Sequence, residues 1–194
     1  MIKEQFFPTF VYAKDIKINN EELANYLMTL ANQDKGVQKT NVGGWHSKDL
    51  DKHPSLIPLV DELHLMQREI YKEEYIEREP ILGNIWANIN YPNCYNEFHL
   101  HPNCLFSGVY YVKAPTESGK LVLTDPRAGA QSALPIRSNK DIPKEFWRDI
   151  FLEPIEGRII MFPAWVWHRV GINKTNDPRI SLSFNFIQQG FNVQ

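Results

Sequence analysis

His99 and His101 lie one residue apart in the stretch FHLHP at residues 98–102. Residues i and i+2 of a strand point to the same face, so both rings can converge on one ion. Two solvent-facing histidines satisfy the same spacing, and the pair alone does not separate the two readings. A third imidazole, His168, follows a short loop in FPAWVWHRV, again in a β-like run. Two ligands from one strand and one from a distant strand occupy one face of a metal and leave the other face open. Open positions distinguish a catalytic centre from a closed structural site. Eleven residues after His168, PRISLSF offers Arg179, Ser181 and Ser183 on one face of a strand. The planar fork of an arginine grips a carboxylate at two points, and a serine two residues along adds a hydroxyl to the same group. A carboxylated cosubstrate is the natural occupant. The competing reading of Arg179 is a strand-edge salt bridge, which is common and weak.

Two helices and a run of strands must position these groups. Residues 20–32, NEELANYLMTLAN, open on an asparagine cap and early acids and place Leu23, Tyr26, Leu27 and Leu30 on one face. Residues 55–75 repeat the pattern, with Ser55 as the expected cap, an apolar stripe from Leu56 to Tyr71, and His64 on the helix. His46, between two turn glycines and a charged run, reads as a loop or edge residue, and His53 as exposed. From residue 81 the runs become short, aromatic and β-branched, and at least seven strands are expected. In WANIN, alternation sends Trp86, Asn88 and Asn90 to one face and Ala87 and Ile89 to the other. The expectation is a single domain over 1–194. Residues 1–80 form mixed helical and strand support, with the helices on one outer sheet, and 81–190 form an antiparallel sandwich or barrel.

The 194 residues are 43% hydrophobic and 23% charged, enough for a sizeable core and unlike a disordered chain. A formal charge of −2 with mixed signs gives no basic stripe for nucleic acid, and no run reaches the roughly 20 apolar residues of a membrane span. The first residues lack a signal-peptide pattern, and Cys94 and Cys104 form no CxxC, so a cytoplasmic protein with reduced thiols is expected.

FHLHP, FPAWVWHRV and PRIS together resemble the Fe(II)- and 2-oxoglutarate-dependent oxygenases of the prolyl-hydroxylase-like kind, over roughly residues 84–187. More closely, HLHPNCLFSGVYYVKAPTESGKLVLTDPR followed by WxxH and RISLSFNF resembles an uncharacterised bacterial and phage subfamily that also shows HxH. The resemblance implies a mainly β fold with flanking helices around a double-stranded β-helix, a jelly-roll, cupin-like core. It implies Fe(II) held by His99, His101 and His168, and 2-oxoglutarate as cosubstrate held by Arg179, Ser181 and Tyr111, with Tyr110 pointing the other way. The substrate implied is a small molecule or a protein side chain. Where the wider family has HxD, His101 removes one negative charge from the metal's ligands. Asp125 in LTDPR is a candidate replacement carboxylate, though a turn aspartate before Pro126 explains it as well. Trp86, Trp165 and Trp167 are candidates for the pocket wall, or simple core.

Two alternatives stay open. A cupin-type metalloenzyme would use HxH, Gly157, Pro163 and His168 without 2-oxoglutarate, but it lacks the expected glutamate and leaves Arg179-x-Ser181 without a role. A barrel that binds a ligand or partner without metal is the other. Substrate selection is expected from residues 36–50 and 127–145. Oligomeric state is left open, a homodimer among the options.

Overall fold

The structure, a computed structural model, describes residues 1–50, 53–79, 81–133, 135–136 and 141–187. Eleven strands and three helices are found among them. In chain order they are β1 (Tyr12–Asp15), α1 (Asn20–Gln33), β2 (Asn41–Val42), β3 (Trp45–His46) and α2 (Ile57–Glu73). Then follow β4 (Ile81–Asn90), β5 (Tyr95–His99), β6 (Phe106–Lys113), β7 (Leu121–Thr124), the short α3 (Ala128–Ser132), β8 (Asp149–Leu152), β9 (Arg158–Pro163), β10 (His168–Val170) and β11 (Arg179–Ile187).

The strands form two antiparallel sheets, one of six strands in the order β1-β9-β6-β11-β4-β3 and one of five in the order β2-β5-β10-β7-β8. Eight strands follow residue 81, and β8, in the charged run before Gly157, is the one the sequence does not announce. Three more come from the first half, each completing an edge: β1 on β9, β2 on β5 and β3 on β4. This is the double-stranded β-helix that the motifs imply.

Strand alternation separates core from site. Along β11, Ile180, Leu182, Phe184 and Phe186 join a buried cluster with Leu23 and Leu27 of α1 and Leu59 and Leu63 of α2. The residues between them, Arg179, Ser181, Ser183 and Asn185, take the other face. Strand β4 divides in the same way, with Ile85, Ala87 and Ile89 under the helices and Trp86, Asn88 and Asn90 opposite. On β4 and β11 the six-stranded sheet is therefore apolar on its helix side and mostly polar toward the second sheet, whereas β6 and β9 set Val109, Tyr111, Ile160 and Phe162 against Leu121 and Leu123 of that sheet. Tyr110 turns away from the site as expected, but it is fully buried, and its hydroxyl donates to Asn20 Oδ1 at 2.6 Å.

Local details correct the sequence reading at the helix starts. The cap of α1 is Asn19, whose Oδ1 accepts from the Glu22 amide while its Nδ2 donates to the Glu22 carboxylate. Asn20 is instead tied to Tyr110. Ser55 caps nothing, because residues 54–56 form a 3-10 turn in which the His53 ring accepts from the Ser55 amide. His53 is half-buried rather than exposed, stacked on Tyr26 with ring centres 3.8 Å apart.

Candidate metal centre

Strands β5 and β10 pair with His168 directly opposite His99, which brings two imidazoles from distant sequence side by side. Strand β5 ends at His99, so His101 is not a strand residue as its spacing suggests. Its position is fixed by its own amide, which donates to the Ala164 carbonyl at 3.1 Å. Even so, the three rings converge: centroids are 4.2 Å apart for His99–His168, 5.0 Å for His101–His168 and 5.1 Å for His99–His101. One nitrogen from each lies within 4.8 Å of the others, the one such group of histidine, cysteine or acidic side chains among the described residues.

The second nitrogens settle the tautomers. His99 Nδ1 lies 2.7 Å from the Glu97 carbonyl, His168 Nδ1 2.9 Å from the Val166 carbonyl, and His101 Nδ1 against Oδ1 of Asn185. These oxygens only accept, so each Nδ1 carries the hydrogen and each Nε2 lone pair is left for an ion. Asn185 is itself fixed, accepting from Ser107 Oγ at 2.7 Å and donating to Asn84 Oδ1 at 2.9 Å.

Burial holds the triad neutral, which is the form a metal binds. His168 is pushed down to about 3, by burial first and then by His99 and His101. Burial likewise takes His101 down to about 4 and lowers His99. An unfolded histidine protonates near pH 6.5, so below that value the unfolded chain takes up protons that the folded chain refuses. Metal-free protein should therefore lose stability as pH falls from about 6.5 to about 4 for His101, and on to about 3 for His168. The slope reaches about 1.4 kcal/mol per pH unit for each group. Denaturant midpoints measured with chelator across this range check it, and a flat profile would count against a packed neutral triad.

The triad opens on a cavity of about 620 Å³ between the sheets, within the usual range for small-molecule sites. Arg179 lines it, 2% exposed, and forms no ion pair among the described residues. Its Nη1 donates to the Gly119 carbonyl and its Nη2 to Asn90 Oδ1, both at 3.1 Å, with Ser181 Oγ at 3.5 Å. The buried Nε has no hydrogen-bond partner. Burial lowers the pKa of this guanidinium, with the Tyr111 phenol opposing the shift. Gly119 is tightly constrained, at φ +101°, and a Cβ there would meet the Gly171 carbonyl oxygen at 2.2 Å. A side chain at 119 would thus displace the carbonyl that steadies Arg179. Tyr111 packs its ring 5.8 Å from the guanidinium, and burial raises its phenol to about 12, so the hydroxyl remains a donor.

Residues 84–185, more than half of the chain, match the family described as "Putative 2OG-Fe(II) oxygenase". The chain belongs to this family. No curated protein matches the sequence of this oxygenase. Among solved structures it is similar to a prolyl-4-hydroxylase from Pseudomonas putida, with a TM-score of 0.63, 15% identity and 93% of each chain covered. It is also similar to the viral collagen prolyl hydroxylase of Paramecium Bursaria Chlorella virus-1 in complex with 2OG, with a TM-score of 0.58, 15% identity, and 91% of this chain and 94% of that chain covered. A third, HygX from Streptomyces hygroscopicus with nickel and 2-oxoglutarate bound, gives 0.58 at 13% identity over 94% and 84%. At such identities the likeness speaks for the fold.

The donor set of this oxygenase suits its family's metal. Three neutral imidazoles on one side of a cavity match the preference of Fe(II) for nitrogen ligands with open positions. Other sequence candidates lie elsewhere. Asp125 is the turn aspartate: its carboxylate holds the Arg127 side chain at 2.8–2.9 Å and the Arg127 amide at 3.0 Å, and it takes no part in the histidine group. Trp86 lines the cavity between His46 and His101, but Trp165 and Trp167 are 51% and 40% exposed, and Trp167 stacks on Phe98. His46 is an edge-strand residue, as read from sequence, and also lines the cavity. Parts of residues 127–145, expected to select substrate, lie outside the described residues. Asn185 went unread, although the alternation through Arg179, Ser181 and Ser183 points to it. No helix among the described residues is long and apolar enough to cross a membrane.

Proposed function

We propose that His99, His101 and His168 hold Fe(II), and that Arg179, Ser181 and Tyr111 hold the distal carboxylate of 2-oxoglutarate, in an oxygenase that hydroxylates a small molecule or a protein side chain. The observation that carries this reading is Arg179: a buried guanidinium with no carboxylate partner among the described residues, facing the cavity that the three imidazoles share. A fully buried charge without a counter-ion is costly, and a carboxylated ligand removes that cost. It also favours this reading over a cupin-type enzyme, which gives such an arginine nothing to do.

Bound Fe(II), with 2-oxoglutarate and O2, supplies the decarboxylation of the keto acid to succinate and CO2 and the oxidation of a substrate C–H bond. The chain orients and shields. Arg179 and the Tyr111 hydroxyl fix one end of the cosubstrate, with Ser181 beside the guanidinium. The Nδ1 hydrogen bonds keep each Nε2 aimed at one point, and Asn185 holds the third ring where the wider family has a carboxylate. Val109, Phe162 and Leu121 wall the cavity with apolar surface.

The test is slow succinate formation from 2-oxoglutarate without added substrate. It should require both Fe(II) and O2 and vanish in His168→Ala. Succinate formation that survives that substitution would sink the ligand assignment.

A further inference from the structure

Among the described residues twenty-six line the cavity, and none of them is an aspartate or glutamate. Its fixed charges are Arg179 and Lys39. Lys39 forms no ion pair among the described residues, and its backbone is held at the cavity edge. Its amide donates to Oδ1 of the buried Asn41 at 2.8 Å, and Asn41 Nδ2 donates to the Gly44 carbonyl at 2.8 Å. The neighbouring Thr40 Oγ1 accepts from the buried Asn96 at 3.4 Å. His46, which lines the same cavity, has its pKa lowered by burial first and by the Lys39 charge among smaller causes.

With a divalent ion on three neutral imidazoles, Arg179 and Lys39 bring the positive charge to four, and the 2-oxoglutarate dianion cancels two. A carboxylate at position 101 would have removed one more. The loaded cavity thus keeps a surplus of positive charge between low-dielectric walls, a field that concentrates anions. Arg179 is used by the cosubstrate. Lys39 is the cation left over.

We propose that the substrate is an anion, whose carboxylate or phosphate Lys39 holds at the β2 edge of the cavity while the rest of the molecule lies toward the histidines. The inference rests on the oxygenase reading and names the substrate class for that same site. Carboxylate and phosphate share the chemistry that an ammonium recognises.

The probes are isobutyrate and isobutyramide, of one shape and differing in charge, titrated into protein loaded with Zn(II) and saturated with 2-oxoglutarate. Zinc keeps the ligand set without redox turnover. Amide shifts in NMR spectra at residues 39–46 report binding. Isobutyrate is expected to bind about fivefold more tightly, as one partly screened charge contact allows. In Lys39→Met the preference should shrink to within about twofold, and in Lys39→Arg it should persist. Lys39 is exposed, so neither change threatens the fold. Equal binding of the two probes overturns the proposal. So does an undiminished preference in Lys39→Met, which would place the anion on the metal. Failure of wild-type protein to form the Fe(II)–2-oxoglutarate charge-transfer band removes the oxygenase reading and this inference together. A normal band without anion preference removes this inference alone.

Discussion

Arg179→Met is expected to abolish measurable 2-oxoglutarate binding while leaving the metal-free protein at least as stable as wild type. The guanidinium is 2% exposed, has no carboxylate partner among the described residues, and leaves Nε without a hydrogen bond. Removing one partner of a buried charged pair costs roughly 3–5 kcal/mol, so 2-oxoglutarate affinity should fall by roughly two to four orders of magnitude. Without ligand the balance reverses, because replacing a buried charge by an apolar side chain of similar length commonly stabilises by about 1–2 kcal/mol. For a chain of this size that raises the melting temperature by roughly 2–8 °C. Wild-type protein, by contrast, gains about 2.7 kcal/mol at a 2-oxoglutarate concentration of roughly 100 times Kd, a shift that Arg179→Met should not show. Thermal melts of both proteins, with and without 2-oxoglutarate, check all of this. A variant that melts lower yet keeps its ligand shift would make Arg179 a structural residue.

His101 carries the second large effect, because it stands where a carboxylate is expected. In His101→Ala, Fe(II) affinity should fall by at least about 100-fold, beyond the roughly 10–100-fold that an outer hydrogen-bond partner is worth. His101→Asp should restore binding, since a carboxylate offsets the positive charge of the site. Asn185 separates position from ligation. His99 and His168 hand their Nδ1 hydrogens to backbone carbonyls, whereas His101 depends on a side chain that Ser107 and Asn84 hold in place. Asn185→Leu should therefore weaken metal binding by about 10–100-fold without touching the ion. Competition with a chelator measures the series. If His101→Ala binds as tightly as wild type, the third ligand lies elsewhere.

The strands around the site were legible in sequence because alternation is local. WANIN and RISLSFNF separate polar from apolar positions at every second residue, and the sheets bury them accordingly. Other features were not legible. Strand β8 pairs with β7 at a sheet edge, where half-exposed residues need no apolar run. His101 lies past the end of β5, and a spacing of two cannot report that the strand has stopped. Lys39 reaches the cavity only because β2 and β3 fold back onto β5 and β4, two-residue pairings with no periodic signal. His168 beside His99 is a register across roughly seventy residues, which the oxygenase resemblance supplied and local pattern could not. That no acid among the described residues pairs with Arg179 is likewise visible only once the chain is folded.

The most direct measurement is an anaerobic titration, Fe(II) first and then 2-oxoglutarate, followed in the visible spectrum. A metal-to-ligand charge-transfer band should grow to saturation with 2-oxoglutarate, as expected of the proposed site, in which His99, His101 and His168 would hold the iron and Arg179 the far carboxylate of the keto acid. The band should be absent in His168→Ala at any 2-oxoglutarate concentration. Wild-type protein that binds Fe(II) yet shows no band at saturating 2-oxoglutarate would contradict the claim that the histidine triad and Arg179 form one site.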